Sequence, residues 1–452
     1  MATGNPFLHR GPIRDPDYFF GRRREVNRAF DLLRNAQSVS IVGPRRIGKS
    51  SLLFHLANPA IYQQYGLSPD KYCFIYVDCE GWSELTRNDF YALLLNEMKE
   101  ALLRMGLASK LELPATASIS FRGFEQAVRT IVSRQIQPVF LLDEFEALSC
   151  NPHLDAHFFS SLRGLATRHS VAYVTVSKEH LLKLTYAQTD TISSPFFNFF
   201  AQIRLHPFFP DEAELLVTDL ATKGGLNFDP TTKKCLFNLA GPHPFLLQVA
   251  AYHAFDHLTV GSTFLNGTGC DHIRRQFLGE AEAHWAYAWS QLSPLDRKYL
   301  TLLPLTQQSN LRVVRRLQEA GVVVPHTDGF VPLSPAFREF VARQPVGGVI
   351  QAYPVILDLE QRRALLRDRL LSLTPIEFDL LAYLVEHAGE VITHDQLISQ
   401  VWSDQYPEDH HQSYVQGPDR LKTGVKMLRR ALGDDAQRIE NVRGLGYKYS
   451  KG

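Results

Sequence analysis

The segment Gly43-Pro44-Arg45-Arg46-Ile47-Gly48-Lys49-Ser50 constrains the fold more than any other stretch of this chain, because it satisfies G-x-x-x-x-G-K-[ST] in full. The apolar run Val39-Ser40-Ile41-Val42 precedes it and the helical stretch Ser51-Leu52-Leu53-Phe54-His55-Leu56 follows. Strand, glycine-rich turn and helix in that order make an anion cradle. Gly43 and Gly48 let the backbone curl so that N–H groups point inward, and the helix adds its positive end. Lys49 is placed to reach the β- and γ-phosphates of a nucleotide, and the Ser50 hydroxyl to complete a Mg²⁺ shell. Contacts with the phosphates are expected from Gly43 through Ser51.

A second acidic motif belongs with the first. The run Pro138-Val139-Phe140-Leu141-Leu142 ends in Asp143-Glu144. A carboxylate at the end of a buried strand can hold a Mg²⁺ water shell, which is the role expected of Asp143. Glu144 is placed to polarise a water for attack on the γ-phosphate. An apolar run closing on Asp-Glu is ordinary by itself; the upstream phosphate loop gives it meaning.

Around these motifs, apolar runs near 39–42, 72–77, 138–142, 171–176 and 202–205 alternate with helical patterns at 23–35, 51–57, 87–105 and 121–135, with a loop over 107–120. The alternation predicts a parallel sheet covered on both faces. After Pro207-Phe208-Phe209-Pro210 the pattern is helical to about 285. Short helices and two short strands about a turn then predict a small winged helix, and Gln344-Pro345-Val346-Gly347-Gly348 reads as a hinge. The expected organisation is an ATPase core over 1–205, a helical lid over 206–290, a winged helix over 291–343, a linker over 344–352 and a final unit over 353–452.

Composition agrees with several domains and excludes some classes. A chain of 452 residues exceeds one core, and 45% hydrophobic with 21% charged residues is ordinary for a water-soluble protein. The net charge of +1 gives no overall nucleic-acid signal, so a basic surface must be local. Cys73, Cys79, Cys150, Cys235 and Cys270 form no C-x-x-C pair and are expected as reduced thiols in a cytoplasmic protein. The N-terminus lacks the apolar centre of a signal peptide, and no apolar run approaches twenty residues, so no membrane partner is expected. His153 with His157, and His410 with His411, lack further ligands for a metal site. Phe196-Phe197-Asn198-Phe199-Phe200 reads as core packing or lid contact, with a partner-binding patch as the alternative.

The local basic surface lies at the C-terminus. Thr374 caps a helix that starts at Pro375 and closes a capping box with Glu377. A second helix starts at Thr393 and contains Leu397, Ile398, Val401 and Trp402. A third runs from about Asp419 to Leu432, and Ile439–Tyr449 forms a terminal hairpin. Three helices and a hairpin make a winged helix. Between 420 and 451 nine basic residues face three acidic ones, against +1 for the whole chain. Such an excess supplies phosphate contacts and salt-sensitive affinity for double-stranded DNA.

Residues 18–250, and with the following winged helix about 18–343, resemble the AAA+/STAND branch of P-loop ATPases. Phe19-Phe20-Gly21-Arg22-Arg23-Arg24-Glu25 resembles the family's F-x-G-R-x-x-E motif, which cups adenine and implies nucleotide contacts at Phe20, Gly21 and Arg22. Gly43–Ser50 resembles Walker A and Leu141–Glu144 Walker B. Ser177 stands at the sensor-1 position, and Gly241-Pro242-His243-Pro244 resembles the lid's Gly-x-Pro motif, which implies base contacts from Pro242 and Pro244. The resemblance implies an α/β sheet in the order 5-1-4-3-2, ATP or ADP with Mg²⁺ as ligands, and catalytic roles for Lys49, Glu144 and Ser177. It departs in showing no clear sensor-2 arginine; Arg163 and Arg168 are the candidate arginine fingers. An arginine finger is worth about 10³–10⁵ in rate, so slow hydrolysis suited to a switch is expected without one.

Residues 353–449 resemble the OmpR/PhoB-type effector domain. The L-T-P-x-E-[FY]-x-L-L motif is Leu373–Leu381, the second-helix pair is Val401-Trp402, and the terminal V-R-G-x-G-Y is Val442–Tyr447. Val355–Asp358 and Leu370-Leu371 match its small N-terminal sheet. The resemblance places the third helix in the major groove, with Arg420, Lys422, Lys426, Arg429 and Arg430 at or beside DNA, and Arg443 on the wing. Gly424 departs from the pattern, at a cost of about 1 kcal/mol against Ala in a helix, as do Met427 and Ala431. The family's receiver domain has no counterpart before the linker; the ATPase stands in its place. The expectation is a nucleotide-switched transcription regulator, self-associating on DNA and contacting RNA polymerase. The alternatives are a mechanical DNA-dependent ATPase resembling replication initiators and a STAND-type defence or signalling switch.

Overall fold

The computed structural model describes residues 4–7, 10–107, 111–116, 119–181, 195–260, 267–306, 310–367, 369–402 and 410–450. The chain folds as two compact units, one of residues 1–237 with 242–274, the other of 238–241 with 275–452. The boundary at 274/275 falls inside the helix Gly267–Ser290, earlier than the expected end of the lid at 290.

The first unit is built on five parallel strands: β1 (Val39–Val42), β2 (Tyr72–Asp78), β3 (Gln137–Asp143), β4 (Ala172–Ser177) and β5 (Ala201–Arg204). Their order is β2-β3-β4-β1-β5, which is the predicted 5-1-4-3-2 arrangement. Alternation of side chains across each strand explains why both faces are covered. Cys73, Ile75, Val77, Phe140, Leu142 and Tyr173 enter one cluster with the helices Arg87–Arg104, Phe121–Val132 and Ala156–His169. Their neighbours Phe74, Val139, Leu141, Ala172, Val174 and Val176 enter another with the helices Arg23–Arg34 and Lys49–Ala57. Arg23–Arg34 docks through Val26, Ala29, Phe30 and Leu33, a stripe at helical spacing. Phe196 and Phe197 are buried against Phe159, as core packing requires.

The lid comprises the helices Pro210–Lys223, Pro230–Ala240 and Pro244–Val260. Here the cysteine expectation is corrected. Cys235 and Cys270 are joined as a disulfide with Cα atoms 6.2 Å apart, because the helices Pro230–Ala240 and Gly267–Ser290, separated in sequence by Pro244–Val260, bring residues 35 apart side by side. Sequence spacing alone carries no such information.

In the second unit, the helices Pro294–Thr301 and Leu311–Glu319 precede the antiparallel hairpin β6 (Val323–His326) and β7 (Gly329–Pro332), the predicted small winged helix. Arg316 holds it together through a forked contact with Asp296, which also accepts from the Ser293 hydroxyl. A four-stranded antiparallel sheet follows: β8 (Val349–Ala352), β9 (Val355–Asp358), β10 (Arg363–Leu366) and β11 (Arg369–Leu371). β8 lies within the stretch expected as linker, because it pairs with β9 from Val349↔Asp358 to Ala352↔Val355.

The C-terminal helices are Pro375–Glu386, His394–Trp402 and His410–Leu432, the last starting nine residues before the expected Asp419. The predicted capping box forms: the Thr374 hydroxyl accepts from Glu377 N–H and the Glu377 carboxylate from Thr374 N–H. Strands β12 (Val391–Thr393), β13 (Ile439–Val442) and β14 (Gly446–Tyr449) form a sheet in the order β12-β14-β13. Gly424 has a packing reason. A Cβ there would lie 3.1 Å from Leu380 Cδ2, so the glycine lets the third helix approach the first. Gly446 is more constrained, since a Cβ would fall 1.8 Å from the Ile392 carbonyl oxygen across the β12–β14 pair. Among the described residues no helix is long and apolar enough to cross a membrane. Gly446→Ala is therefore expected to separate β12 from β14 and destabilise the C-terminal winged helix by more than about 3 kcal/mol. Thermal melting of the variant checks it; an unchanged transition would contradict the constraint.

Candidate functional site

Parallel pairing sets the site. Ser177 is in register with Val42, and Asp143 with Asp78, so the ends of β1 to β4 reach one edge of the sheet. Ligands of open α/β sheets bind outside this carboxyl edge. The loop after β1 curls over it into the helix Lys49–Ala57. Gly43 is needed for closeness, since a Cβ there would sit 3.0 Å from the Leu205 carbonyl; Gly48 is needed for its φ of +98°.

A cavity of about 430 Å³ opens at this edge. Its lining includes Arg10, Arg22, Arg45, Arg46, Lys49 and Lys178, against the acidic Glu80 and Glu144. Lys49 is 7% exposed and donates to the carbonyls of Gly43 and Pro44 at 3.0 Å each. Burial lowers its pKa, and the nearby Glu144, Glu146 and Asp143 carboxylates oppose that shift. Asp143 is 4% exposed and accepts from Tyr76 Oη (3.1 Å) and Glu144 N–H (3.0 Å). The Ser50 hydroxyl lies near this carboxylate and favours its charged form. Burial raises the Asp143 pKa and these three groups pull it back. The two motifs read from sequence thus meet through Ser50 and Asp143, the pair expected to hold Mg²⁺. A buried carboxylate beside a hydroxyl, under a cationic rim, fits a divalent cation bound with a polyphosphate.

Glu144 adopts φ +46°, an uncommon conformation for a non-glycine residue, and its carboxylate lies 3.4 Å from Lys178 Nζ. Lys178 was missed in the sequence although it directly follows Ser177. Its backbone N–H donates to the buried Glu146 carboxylate. Ser177 itself is turned away: its hydroxyl donates to the Glu179 carbonyl at 2.7 Å, and its own carbonyl accepts from Gly43 N–H at 3.3 Å. It holds the loop to β4, while Lys178 lines the cavity.

Arg22 is 3% exposed and serves as a strut. Its guanidinium donates to the His206 carbonyl (2.7 Å) and the Ile47 carbonyl (2.9 Å), lies over Phe208, and its N–H reaches Glu212. Gly21 abuts Phe208, where a Cβ would approach to 2.9 Å. Phe19 and Phe20 line the cavity, and Phe19 stacks on His55 at 4.0 Å. Pro244 lines the cavity too, as do Phe245, under the Arg46 guanidinium at 4.2 Å, and Gln248. Pro242 acts through its carbonyl, which accepts from Phe208 N–H. Ser51 accepts from Ile13 N–H at 2.9 Å and so anchors an N-terminal arm whose residues 10–13 also line the cavity. Arg168 pairs with Glu125 at 2.8 Å, and neither it nor Arg163 lines the cavity.

The third C-terminal helix sorts its basic residues. Leu421, Val425, Leu428 and Leu432 are buried, leaving Lys422, Lys426 and Arg430 exposed on one stripe with Met427. Arg443 and Leu445 are exposed at the turn of the hairpin. Arg420 is half-buried. Arg429 departs from its expected role: its guanidinium donates twice to the Ile439 carbonyl, at 3.1 and 2.6 Å, and so fastens the helix to the wing. The helical step of 100° turns Arg429 inward while leaving its neighbour Arg430 outside.

Comparison with known proteins agrees with this geometry. The family described as Novel STAND NTPase 2 matches residues 31–293, more than half of the chain. Residues 368–449 match the family described as Transcriptional regulatory protein, C terminal. The Sensory transduction protein RegX3 of Mycolicibacterium smegmatis is 36% identical over 104 residues, which are 22% of this chain and 42% of that protein. The two-component response regulator PhoP of Pseudomonas aeruginosa is 31% identical over 108 residues, 24% of this chain and 44% of that protein. This chain thus spans under half the length of either relative. Among solved structures, the Walker-type ATPase PABY2304 of Pyrococcus abyssi aligns with a TM-score of 0.50 and 15% identity, covering 74% of this chain and 99% of that one, a likeness of fold.

Two outcomes follow. Arg429→Ala is expected to cost about 1–3 kcal/mol in stability with little change in the salt dependence of DNA binding, whereas Lys426→Ala with Arg430→Ala lowers the slope of log affinity against log salt by about 2. Anisotropy titrations on a duplex over a salt series separate them, and an equal fall in slope for Arg429→Ala would contradict its inward role. Burial lowers His55 to about 4 from 6.5. As pH falls from 6.5 toward 4 the unfolded chain takes this proton first, so the contribution to stability present above 6.5 is lost across that window. His55→Gln is expected to flatten the fall of melting temperature there; an unaltered profile would show that His55 does not cause it.

Proposed function

Because the chain belongs to the Novel STAND NTPase 2 family and carries a transcriptional-regulator domain at residues 368–449, we propose that it is an ATP-switched transcription regulator. ATP with Mg²⁺ favours one arrangement of the protein, ADP another, and the two differ in affinity for operator DNA. The observation that carries the nucleotide half is the convergence of Ser50 and the buried Asp143 beside a buried Lys49, in a cavity with a cationic rim. The exposed stripe of Lys422, Lys426 and Arg430 with Arg443 on the wing supports the DNA half. RegX3 is a sensory transduction protein and PhoP a two-component response regulator. In this reading the ATPase supplies the input to the same kind of reader.

Mg²⁺ would be held by Ser50 and Asp143 and would neutralise charge on the β- and γ-phosphates. Glu144 orients the attacking water, with Lys178 beside its carboxylate. Arg168 is engaged with Glu125, so no arginine of the helix Ala156–His169 serves this cavity within the chain. Turnover is slow, which suits a timed switch. One winged helix offers limited base contact, so the operator is read by two or more copies, and contact with RNA polymerase follows on DNA.

Nucleotide shifts the equilibrium only by its differential affinity for the two arrangements. Lys49→Ala is expected to abolish ATP binding in calorimetry and to remove a difference in operator affinity between ATP and ADP of about 5- to 150-fold. The operator is obtained by selection of bound genomic fragments. Equal operator affinity in ATP, in ADP and in the variant would refute the switch.

A further inference from the structure

We infer that Gln248 reads the base of the nucleotide and selects purines that carry a 6-amino group. This rests on the reading of the cavity as a nucleotide site. Gln248 lies in the lid helix Pro244–Val260, one turn after Pro244 and on the same face. Both residues line the cavity of the phosphate loop. The Gln248 side chain is 6% exposed, and its Oε1 has no hydrogen-bond partner among the described residues. A buried amide oxygen that receives no donor from its own chain calls for one from outside.

The surroundings say which donor. Arg45, Arg46 and Lys49 bring cations for the phosphates, and Phe19, Phe20 and Leu216 supply apolar walls for a flat ring. What the walls lack is a polar group for the edge of that ring, and Gln248 provides it. A 6-aminopurine presents an N–H donor next to a ring-nitrogen acceptor, the two-point pattern that a glutamine amide matches. A 6-oxopurine presents a lone pair at the same place and would set acceptor against the buried Oε1. Selection then works through the sign of the hydrogen bond and not through size, since the two rings have nearly the same shape. In the opposite amide orientation Nε2 would donate to a 6-oxo group, so tighter binding of IDP than of ADP overturns the 6-amino selection.

The test is calorimetric titration of the full chain with ADP and with IDP, both with Mg²⁺, which differ at the 6-position and avoid turnover. Wild type is expected to bind ADP at least about tenfold more tightly than IDP. Gln248→Leu is expected to weaken ADP binding about tenfold and to leave IDP within about twofold, so that the ratio approaches one. Gln248→Met, with an unbranched side chain of similar length, is the second variant, and thermal melts establish that each is folded. Equal binding of the two nucleotides by wild type, or a preference that persists in both folded variants, overturns the assignment of Gln248 while the nucleotide site stands. Binding of neither nucleotide by wild type overturns the site itself and this inference with it.

Discussion

The parallel register of β1 with β4 and of β2 with β3 is the constraint from which the nucleotide site follows. With Ser177 level with Val42 and Asp143 level with Asp78, the chain leaves the sheet at one edge on each strand. Backbone pairing thus decides which residues can meet before any side chain is chosen. The strand ends deliver Asp143, Glu144, Lys178 and Glu80, and the turn after β1 delivers Lys49 and Ser50. The cavity has cations because the loop and the N-terminal arm carry arginines, and carboxylates because Glu144 follows directly on β3 and Glu80 follows β2. Arg22 then ties the loop to the start of the lid through the carbonyls of Ile47 and His206, so the walls share one buried donor.

The same logic of geometry before chemistry governs the C-terminal winged helix. Its third helix carries five basic residues between 420 and 430, but only one side of a helix can face a partner while the other fills the core. Leu421, Val425, Leu428 and Leu432 claim the inner side. Arg429, beside Leu428, is drawn toward the wing and spends its donors on the Ile439 carbonyl. Lys422, Lys426 and Arg430 lie four residues apart on the outer side. Charge counting finds the excess, while helical phase shows which charges are available. Gly424 belongs to the same argument. Its cost in helix propensity is set against a closer approach to Leu380, an exchange invisible without the neighbouring helix.

Much of the fold was legible because its determinants are local. Alternating apolar runs gave the five strands, Thr374 and Glu377 the capped helix, and the glycine spacing the phosphate loop. The meeting of Ser50 with Asp143 was legible too, since both sit in motifs whose spacing implies it. What was not legible depends on contacts between distant segments. Cys235 and Cys270 pair because the helix Gly267–Ser290 comes alongside the lid helix Pro230–Ala240. Tyr76 reaches Asp143 because β2 adjoins β3. β8 sits directly after the Pro/Gly stretch Gln344–Gly348 that reads as a linker, and all four of its residues are half-buried, so no buried face marks it as a strand. Ser177 holds a motif position, yet its hydroxyl is satisfied by Glu179, and Lys178 takes the place at the cavity.

The electrostatics of the cavity argue that cation and polyphosphate bind as a pair. Burial disfavours the charged form of both principal groups: the Lys49 pKa is lowered and the Asp143 pKa raised. Each is kept in place by modest partners, Lys49 by two loop carbonyls and Asp143 by a phenol, a hydroxyl and one N–H. A polyphosphate by itself would relieve Lys49 and place more negative charge near Asp143, Glu144 and Glu146. A divalent cation by itself would relieve the carboxylates and oppose Lys49, Arg46 and Lys178. Only the two together compensate both buried charges, because the interaction of each ligand with the wrong half of the site is cancelled by the other. Buried charges are tolerated when paired and costly when left alone. In the proposed reading of the cavity as a nucleotide site, each ligand would raise the affinity for the other, and by linkage that coupling is reciprocal.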